Sequence, residues 1–217
     1  MMLDKEELEY IRCLTDHGKE TVRFLSNANK ADRERIVCAA FLRSLGVDFS
    51  VEHLVPVAQK MSPPDVKFGT ARFEVCEVLD KRRKRHYEAR SRVDCLRRAK
   101  TIEDTYLPVR AKTPLLYPEV FTLVTNELAR KANRYGRKVC SELDALICVH
   151  LLNRYLDPNS SPPRYANLLA QGWRSVSFFH LPYSHVIYAA ESAPDFLRHF
   201  AGQTRKEWNH SDTFYKL

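Results

Sequence analysis

Glycine is scarce in this chain, with six among 217 residues. None of them clusters, so neither a phosphate-cradling loop nor a dinucleotide-binding turn has the residues it needs. Cysteine occurs six times, at positions 13, 38, 76, 95, 140 and 148, but never as a Cys-x-x-Cys pair. Neither a zinc knuckle nor a disulfide framework is indicated, and several of these thiols fall in apolar helical patterns where cysteine acts as a small hydrophobe. No apolar run approaches bilayer-spanning length, and the opening MMLDKEELE has neither a basic n-region nor an apolar h-region. The expectation is a cytoplasmic protein without membrane insertion. Ser175, Ser177 and Ser184 lack a Gly-x-Ser-x-Gly context, so a serine hydrolase is not supported.

What is present is a hydrophobic fraction of 44%, enough for one core, with 29% charged residues. A single domain over 1–217 is expected, with 1–28 as an N-terminal helical extension, 29–190 as the core and 191–217 as a C-terminal helix and tail. The net charge of +8 is concentrated. Residues 81–100 (KRRKRHYEARSRVDCLRRAK) hold ten Lys or Arg against Glu88 and Asp94, so this one segment carries the whole excess and the remainder is neutral. A focused basic segment attracts polyanions and makes their binding salt-dependent. Lys81, Arg82, Arg83, Lys84, Arg85, Arg90 and Arg92 are the candidate nucleic-acid contacts. The alternative is a solvated helix that packs inward only through Ala89, Val93 and Leu96.

Asp4 and Glu7 form a capping box for a first helix that should break near Gly18. A second helix is predicted from about Asn29 to Gly46, with Ile36, Ala40, Phe41 and Leu45 on one stripe. The period then changes from 3.6 to 2. Strands are expected over 49–59, with Pro56 marking an edge, then over 64–68 and 71–79. Helical patterns resume in the basic segment, over 118–133 and over 139–156, where His150 joins the stripe of Val139, Leu143, Leu146 and Ile147. A loop at 157–163, a short helix ending at Gly172, strands over 176–180 and 185–189, and a last helix from Pro194 to Gly202 complete the reading. His180 and His185 flank the turn between those two strands and are read as packed or hydrogen-bonded, without a ligand role. Tyr165 and Trp173 are read as closing the core.

The chemistry lies in the hairpin PPDVKFGTARFEVCEV. Gly69 at the first central position of a two-residue loop suits a type II′ turn, which pairs residues whose numbers sum to 139 and sets Asp65 opposite Glu74. That is a non-hydrogen-bonded position, where facing side chains approach closely. Lys67, Arg72 and Cys76 share this face, and Val66, Phe68, Ala71, Phe73 and Val75 take the other, so one face should be core and the other functional or wet. Two facing acids need neutralising. A divalent cation does so through hard oxygen ligands; a charge ladder through Lys67 and Arg72 does so equally well.

Pro64-Asp65, the hairpin and Glu74-Val75-Cys76, following a helix and a first strand, resemble the PD-(D/E)xK motif of the restriction-endonuclease-like nucleases. The chain also resembles, over nearly its full length, a small family of uncharacterised bacterial proteins described as endonucleases. The resemblance implies an α/β fold with a mixed central sheet flanked by helices: a helix, a three-stranded antiparallel meander, a helical crossover and a further strand. It implies that Asp65 and Glu74 bind Mg²⁺ or Mn²⁺ and that the position of the catalytic lysine falls on Cys76. A neutral thiol cannot replace that lysine. Lys67, toward the turn on the same face, is the expected substitute, and Glu77 would need a bulge to reach it. An acid from the preceding helix would be Glu34, which otherwise reads as a solvated helical residue. The implied activity is metal-dependent hydrolysis of nucleic-acid phosphodiester bonds, with DNA favoured over RNA and a homodimer open. The alternatives are a non-catalytic nucleic-acid binder on the same scaffold, or a protein-interaction module using the basic helix 81–100.

Overall fold

The computed structural model describes residues 5–58, 63–81, 83–84, 86–107 and 111–206. Helix α1 (Lys5–Phe24) runs straight through Gly18 instead of breaking there. The reason is tertiary: α3 (Tyr87–Arg98) packs on α1 so closely that a Cβ at Gly18 would lie 2.8 Å from Val93 Cγ2. Glycine at 18 permits the approach of two helices, and its helical cost of about 1 kcal/mol is offset by that packing. Asp4, the expected cap, lies outside the described residues.

Between these helices come α2 (Lys30–Ser44), the edge strand β1 (Val55–Pro56), β2 (Val66–Phe68) and β3 (Ala71–Leu79). The strand expected over 49–59 shrinks to β1, because residues 51–53 form a turn of 3₁₀ helix. The β2–β3 register is the expected one, with Val66 opposite Phe73, Lys67 opposite Arg72 and Phe68 opposite Ala71, and Gly69 has φ +54°. Farther along come β4 (Thr113–Leu115), α4 (Tyr117–Tyr135), the single turn α5 (Arg137–Cys140), β5 (Asp144–His150) and β6 (Arg154–Leu156). The chain then forms α6 (Ala166–Ala170), β7 (Ser175–His180), β8 (Tyr183–Ala189), α7 (Asp195–His199) and β9 (Thr204–Lys206).

Among the described residues one seven-stranded mixed sheet has the order β1-β2-β3-β5-β7-β8-β9, and β4 and β6 form a small parallel pair. The meander β1–β2–β3 is antiparallel, β3, β5 and β7 are mutually parallel, and β8 returns antiparallel to β7. The helix expected over 139–156 is therefore wrong: Asp144–His150 form the central strand β5, and Arg154–Leu156 form β6. Leu146 is buried on one face of the sheet, and Ala145, Ile147 and Val149 on the other. A parallel strand covered on both sides reads as a continuous apolar run, and its i, i+3, i+4 coincidences imitate a helix. His150 ends this strand exposed, rather than on a core stripe.

Both faces of β3 are also covered, so of the two alternatives for the face of Glu74, functional or wet, the wet one fails. Val66, Ala71, Phe73 and Val75 pack with α2, where Phe41 meets Phe73 edge to face at 6.1 Å. On the opposite face Cys76 and Val78 join Val120, Phe121, Val124 and Leu128 of α4. Glu74 belongs to this second face, directly before Cys76, and is buried at 2% exposure. A carboxylate in that position needs partners.

Candidate active site

Those partners come from α4. Its apolar stripe, Val120, Val124 and Leu128, continues at helical spacing into Lys131 and Tyr135, so the C-terminal part of the helix presents an ammonium and a phenol to β3 instead of methyl groups. Lys131 forms an ion pair with Glu74 Oε1, and the Tyr135 hydroxyl donates to the same oxygen at 2.8 Å. Oε2 takes no hydrogen bond among the described residues. Burial, and then the charge of Asp65, push the Glu74 carboxyl above its ordinary value against the pull of Lys131 and Tyr135. Burial opposes the charge on Lys131, but its surroundings, Glu74 among them, more than restore it and hold the ammonium above the usual lysine range. Cys76 remains a neutral thiol, pushed up to about 12 by its burial.

Asp65 stands at the frayed start of β2. Its N–H donates to the Phe73 carbonyl at 2.9 Å, and its own carbonyl accepts from Val57 N–H at 2.9 Å. Its side chain turns across to β3, where Oδ2 accepts from Val75 N–H at 3.0 Å. Oδ1 accepts from Lys30 Nζ at 3.0 Å, and the same ammonium lies 2.9 Å from Glu34 Oε1. Glu34 is 9% exposed on the stripe shared with Cys38, Phe41 and Leu45, so it is no solvated helical residue. Burial, and then Asp65, raise its carboxyl. A polar pocket of about 470 Å³ joins the two halves, lined by Lys30, Asp65, Glu74, Lys131, Arg134 and Tyr135 together with apolar residues.

Two expectations about this site need correction, and the reading that Glu77 needs a bulge to reach it stands. Lys67 is exposed on β2 and does not line the pocket. Arg72 does not neutralise the acids, since it pairs with Glu142 at 2.9 Å. Glu77 stays on the face opposite Glu74, because β3 runs from Phe73 to Leu79 in unbroken register with β5. What sequence reasoning missed is Lys131, although a lysine on the core-facing stripe of an amphipathic helix was the available signal. Lys30, four residues before Glu34, was overlooked likewise.

The basic segment divides. Arg82 and Arg85 lie outside the described residues. Arg83 is drawn into the fold by Glu88 at 2.6 Å and the His150 carbonyl at 2.8 Å, and Arg92 is half-buried, so neither is a free contact. Lys81, Lys84 and Arg90 are exposed. Val93 and Leu96 of α3 face inward, and Tyr87, Arg90, Ser91 and Arg98 form the outer stripe. That stripe, with Asp94, Cys95, Lys100 and Asp104, lines a shallow cleft of about 840 Å³, larger than the pocket at the acids. Because Glu74 pairs with Ala145 and Arg83 bonds at His150, the segment begins about 17 Å along the strands from the acids, at roughly 3.3 Å per residue.

Other candidates are structural. Among the described residues no group of three His, Cys, Asp or Glu is arranged to hold a metal. His180 Nδ1 bonds to the Val149 carbonyl at 2.8 Å, and His185 Nδ1 to Thr204 Oγ1 at 2.9 Å, with burial pushing His185 down to about 4. Trp173 is buried in the core, and none of the six cysteines is in a disulfide. No helix among the described residues is long and apolar enough to cross a membrane.

Comparison with known proteins agrees with a full-length relationship. No curated protein matches the chain. A solved structure from Pseudomonas aeruginosa strain PAO1, described as a protein of unknown function of the monooxygenase superfamily, is 31% identical with a TM-score of 0.66, covering 92% of this chain and 94% of its own. Residues 6–210 match the family described as "Putative endonuclease, protein of unknown function (DUF1780)". The chain belongs to that family.

Proposed function

We propose that the chain hydrolyses nucleic-acid phosphodiester bonds at this pocket, with Asp65 and Glu74 as metal-binding acids and Lys131 as the lysine that the hairpin lacks. The observation that carries this reading is the Lys131–Glu74 pair directly beside Cys76. The order of elements supports it: a helix (α2), the antiparallel meander β1–β2–β3, helices, then β5 parallel to β3, the order implied by the restriction-endonuclease-like resemblance. The family's description as an endonuclease agrees at a coarser level. The Pseudomonas protein is described by a different chemistry, but two lysines and an arginine around acids favour an anionic substrate here.

The donor set fits a hard divalent cation. Asp65 and Glu74 supply carboxylate oxygens to one polar pocket, Glu34 stands behind Asp65, and Mg²⁺ binds through one or two carboxylates while keeping several waters. Bound there, the cation would act as Lewis acid and lower the pKa of an attacking water. The chain's own residues do the rest. Lys131 donates to oxygens on which negative charge develops during displacement, Tyr135 fixes the Glu74 carboxylate, and Lys30 holds Asp65 and Glu34 together. The exposed part of the basic segment, Lys81, Lys84 and Arg90, binds backbone phosphates; DNA is the favoured substrate.

One observation favours a second reading, a binder that kept the scaffold without the chemistry: both acids are already neutralised by ammonium groups. Cleavage of plasmid and single-stranded DNA in Mg²⁺ or Mn²⁺ separates the two. The nuclease reading expects cleavage that is lost in Asp65→Asn and Glu74→Gln; salt-dependent binding with every substrate left intact would establish the binder.

A further inference from the structure

Lys131, Arg134 and Tyr135 lie in the C-terminal part of α4 and all line the pocket, but their electrostatic states differ. Lys131 and Tyr135 are both engaged by Glu74, and Lys30 is engaged by Asp65 and Glu34. Arg134 alone among these cations has no carboxylate partner among the described residues. It is exposed at the rim, and its guanidinium lies over the Tyr135 ring, 5.6 Å from the centroid. A cation–π contact of this kind orients an arginine without using its five N–H donors. The Tyr135 hydroxyl is meanwhile fixed on Glu74, so the platform beneath Arg134 is tied to the acids.

We propose that Arg134 binds the phosphate adjacent to the one being cut, and so makes the site selective for a nucleic-acid strand over an isolated diester. The inference rests on the pocket being the hydrolytic site. Lys131 lies deep beside Glu74, and Arg134 lies at the rim, one helical turn on. Residues three apart on a helix stand about 5–6 Å apart at Cβ, close enough for two cations to engage successive phosphates of one strand. A planar fork free of acids is the group best shaped to grip a phosphate bidentately. Lysine at 134 would keep the charge and lose the fork.

The test has a binding arm and a kinetic arm. Affinity of a fluorescein-labelled oligonucleotide is measured by anisotropy in Ca²⁺ across a salt series, using wild type, Arg134→Ala and Arg134→Lys. Arg134→Ala should weaken binding about tenfold and reduce the slope of log K against log salt by about one contact's worth, 0.7–0.9, with Arg134→Lys retaining the slope but losing part of the affinity. A scan that neutralises one phosphate at a time with a methylphosphonate should find one position that costs the wild type as much as Arg134→Ala does and costs that variant nothing. In the kinetic arm, Arg134→Ala should raise KM for the oligonucleotide by a factor about tenfold larger than it raises KM for bis(p-nitrophenyl) phosphate, which has no second phosphate. An unchanged salt slope with no such position overturns the inference, even where Asp65→Asn abolishes cleavage and the hydrolytic reading stands. A wild type that cuts nothing overturns the hydrolytic reading, and the binding arm then still decides what Arg134 contacts.

Discussion

The ammonium of Lys131 rests against the carboxylate of Glu74, joining the end of helix α4 to the middle of the strand that carries the acid motif. Around this pair Tyr135, Asp65, Lys30 and Glu34 are held by contacts that link α4, α2 and the hairpin into one polar pocket.

The raised carboxyls give the fold a characteristic pH response. Burial, then the charge of Asp65, lift both Glu34 and Glu74 above the ordinary 4.5. An acid whose folded pKa exceeds its unfolded value binds more protons when folded, so its contribution is fully present below about 4.5 and is lost as pH rises through the folded value. Glu34→Gln removes one such group. Its urea midpoint, relative to wild type, should therefore rise as pH increases from about 4 to about 7.5; a constant difference would contradict the assignment.

A divalent cation that binds only the folded chain should raise its melting temperature. The stabilisation is about 2.7 kcal/mol at a hundredfold excess over Kd. Asp65→Asn or Glu74→Gln should abolish the Mg²⁺ increment. An increment that survives both substitutions would place the cation elsewhere.

The hairpin was legible because Gly69-Thr70 fixes the turn, and the turn fixes which residues face one another. The central strand β5 was not, because covering both faces with helices removes the alternation that identifies a strand. The acids were legible as a local motif. Lys131 lies 57 positions from Glu74, and its only trace in the sequence is a charge on the stripe that continues Val124 and Leu128. Lys67 is the choice that the hairpin's shared face suggests, but the side chain that reaches Glu74 comes from across the fold.

Packing of the basic helix depends on Gly18. Gly18→Ala gains roughly 1 kcal/mol of helix propensity but drives a methyl group toward the stiff Val93 side chain, 2.8 Å away. Overpacking of this kind costs about 1–3 kcal/mol, so the variant should melt lower than wild type. A higher melting temperature would show that α3 can move away from α1 at little cost.

Cys76 is 3% exposed beneath α4, so restoring the motif lysine there does not simply add a catalytic group. Cys76→Lys sets a second ammonium beside Lys131 in a buried space. Destabilisation by about 3 kcal/mol or more is expected from an uncompensated buried charge. Thermal melts of Cys76→Lys and of Cys76→Lys/Lys131→Ala check this, with the double variant expected to melt higher than the single.

The most direct measurement is the cleavage rate in Mn²⁺ of wild type, Lys131→Ala and Cys76→Lys/Lys131→Ala, each shown by circular dichroism to be folded at the assay temperature. If Lys131 supplies the lysine of the hydrolytic site, Lys131→Ala should lose 10²-fold or more, a typical loss for one charge-stabilising donor. Returning a lysine at position 76 in the same protein should then recover at least a tenth of the wild-type rate. A folded Lys131→Ala that cleaves as fast as wild type would contradict the account.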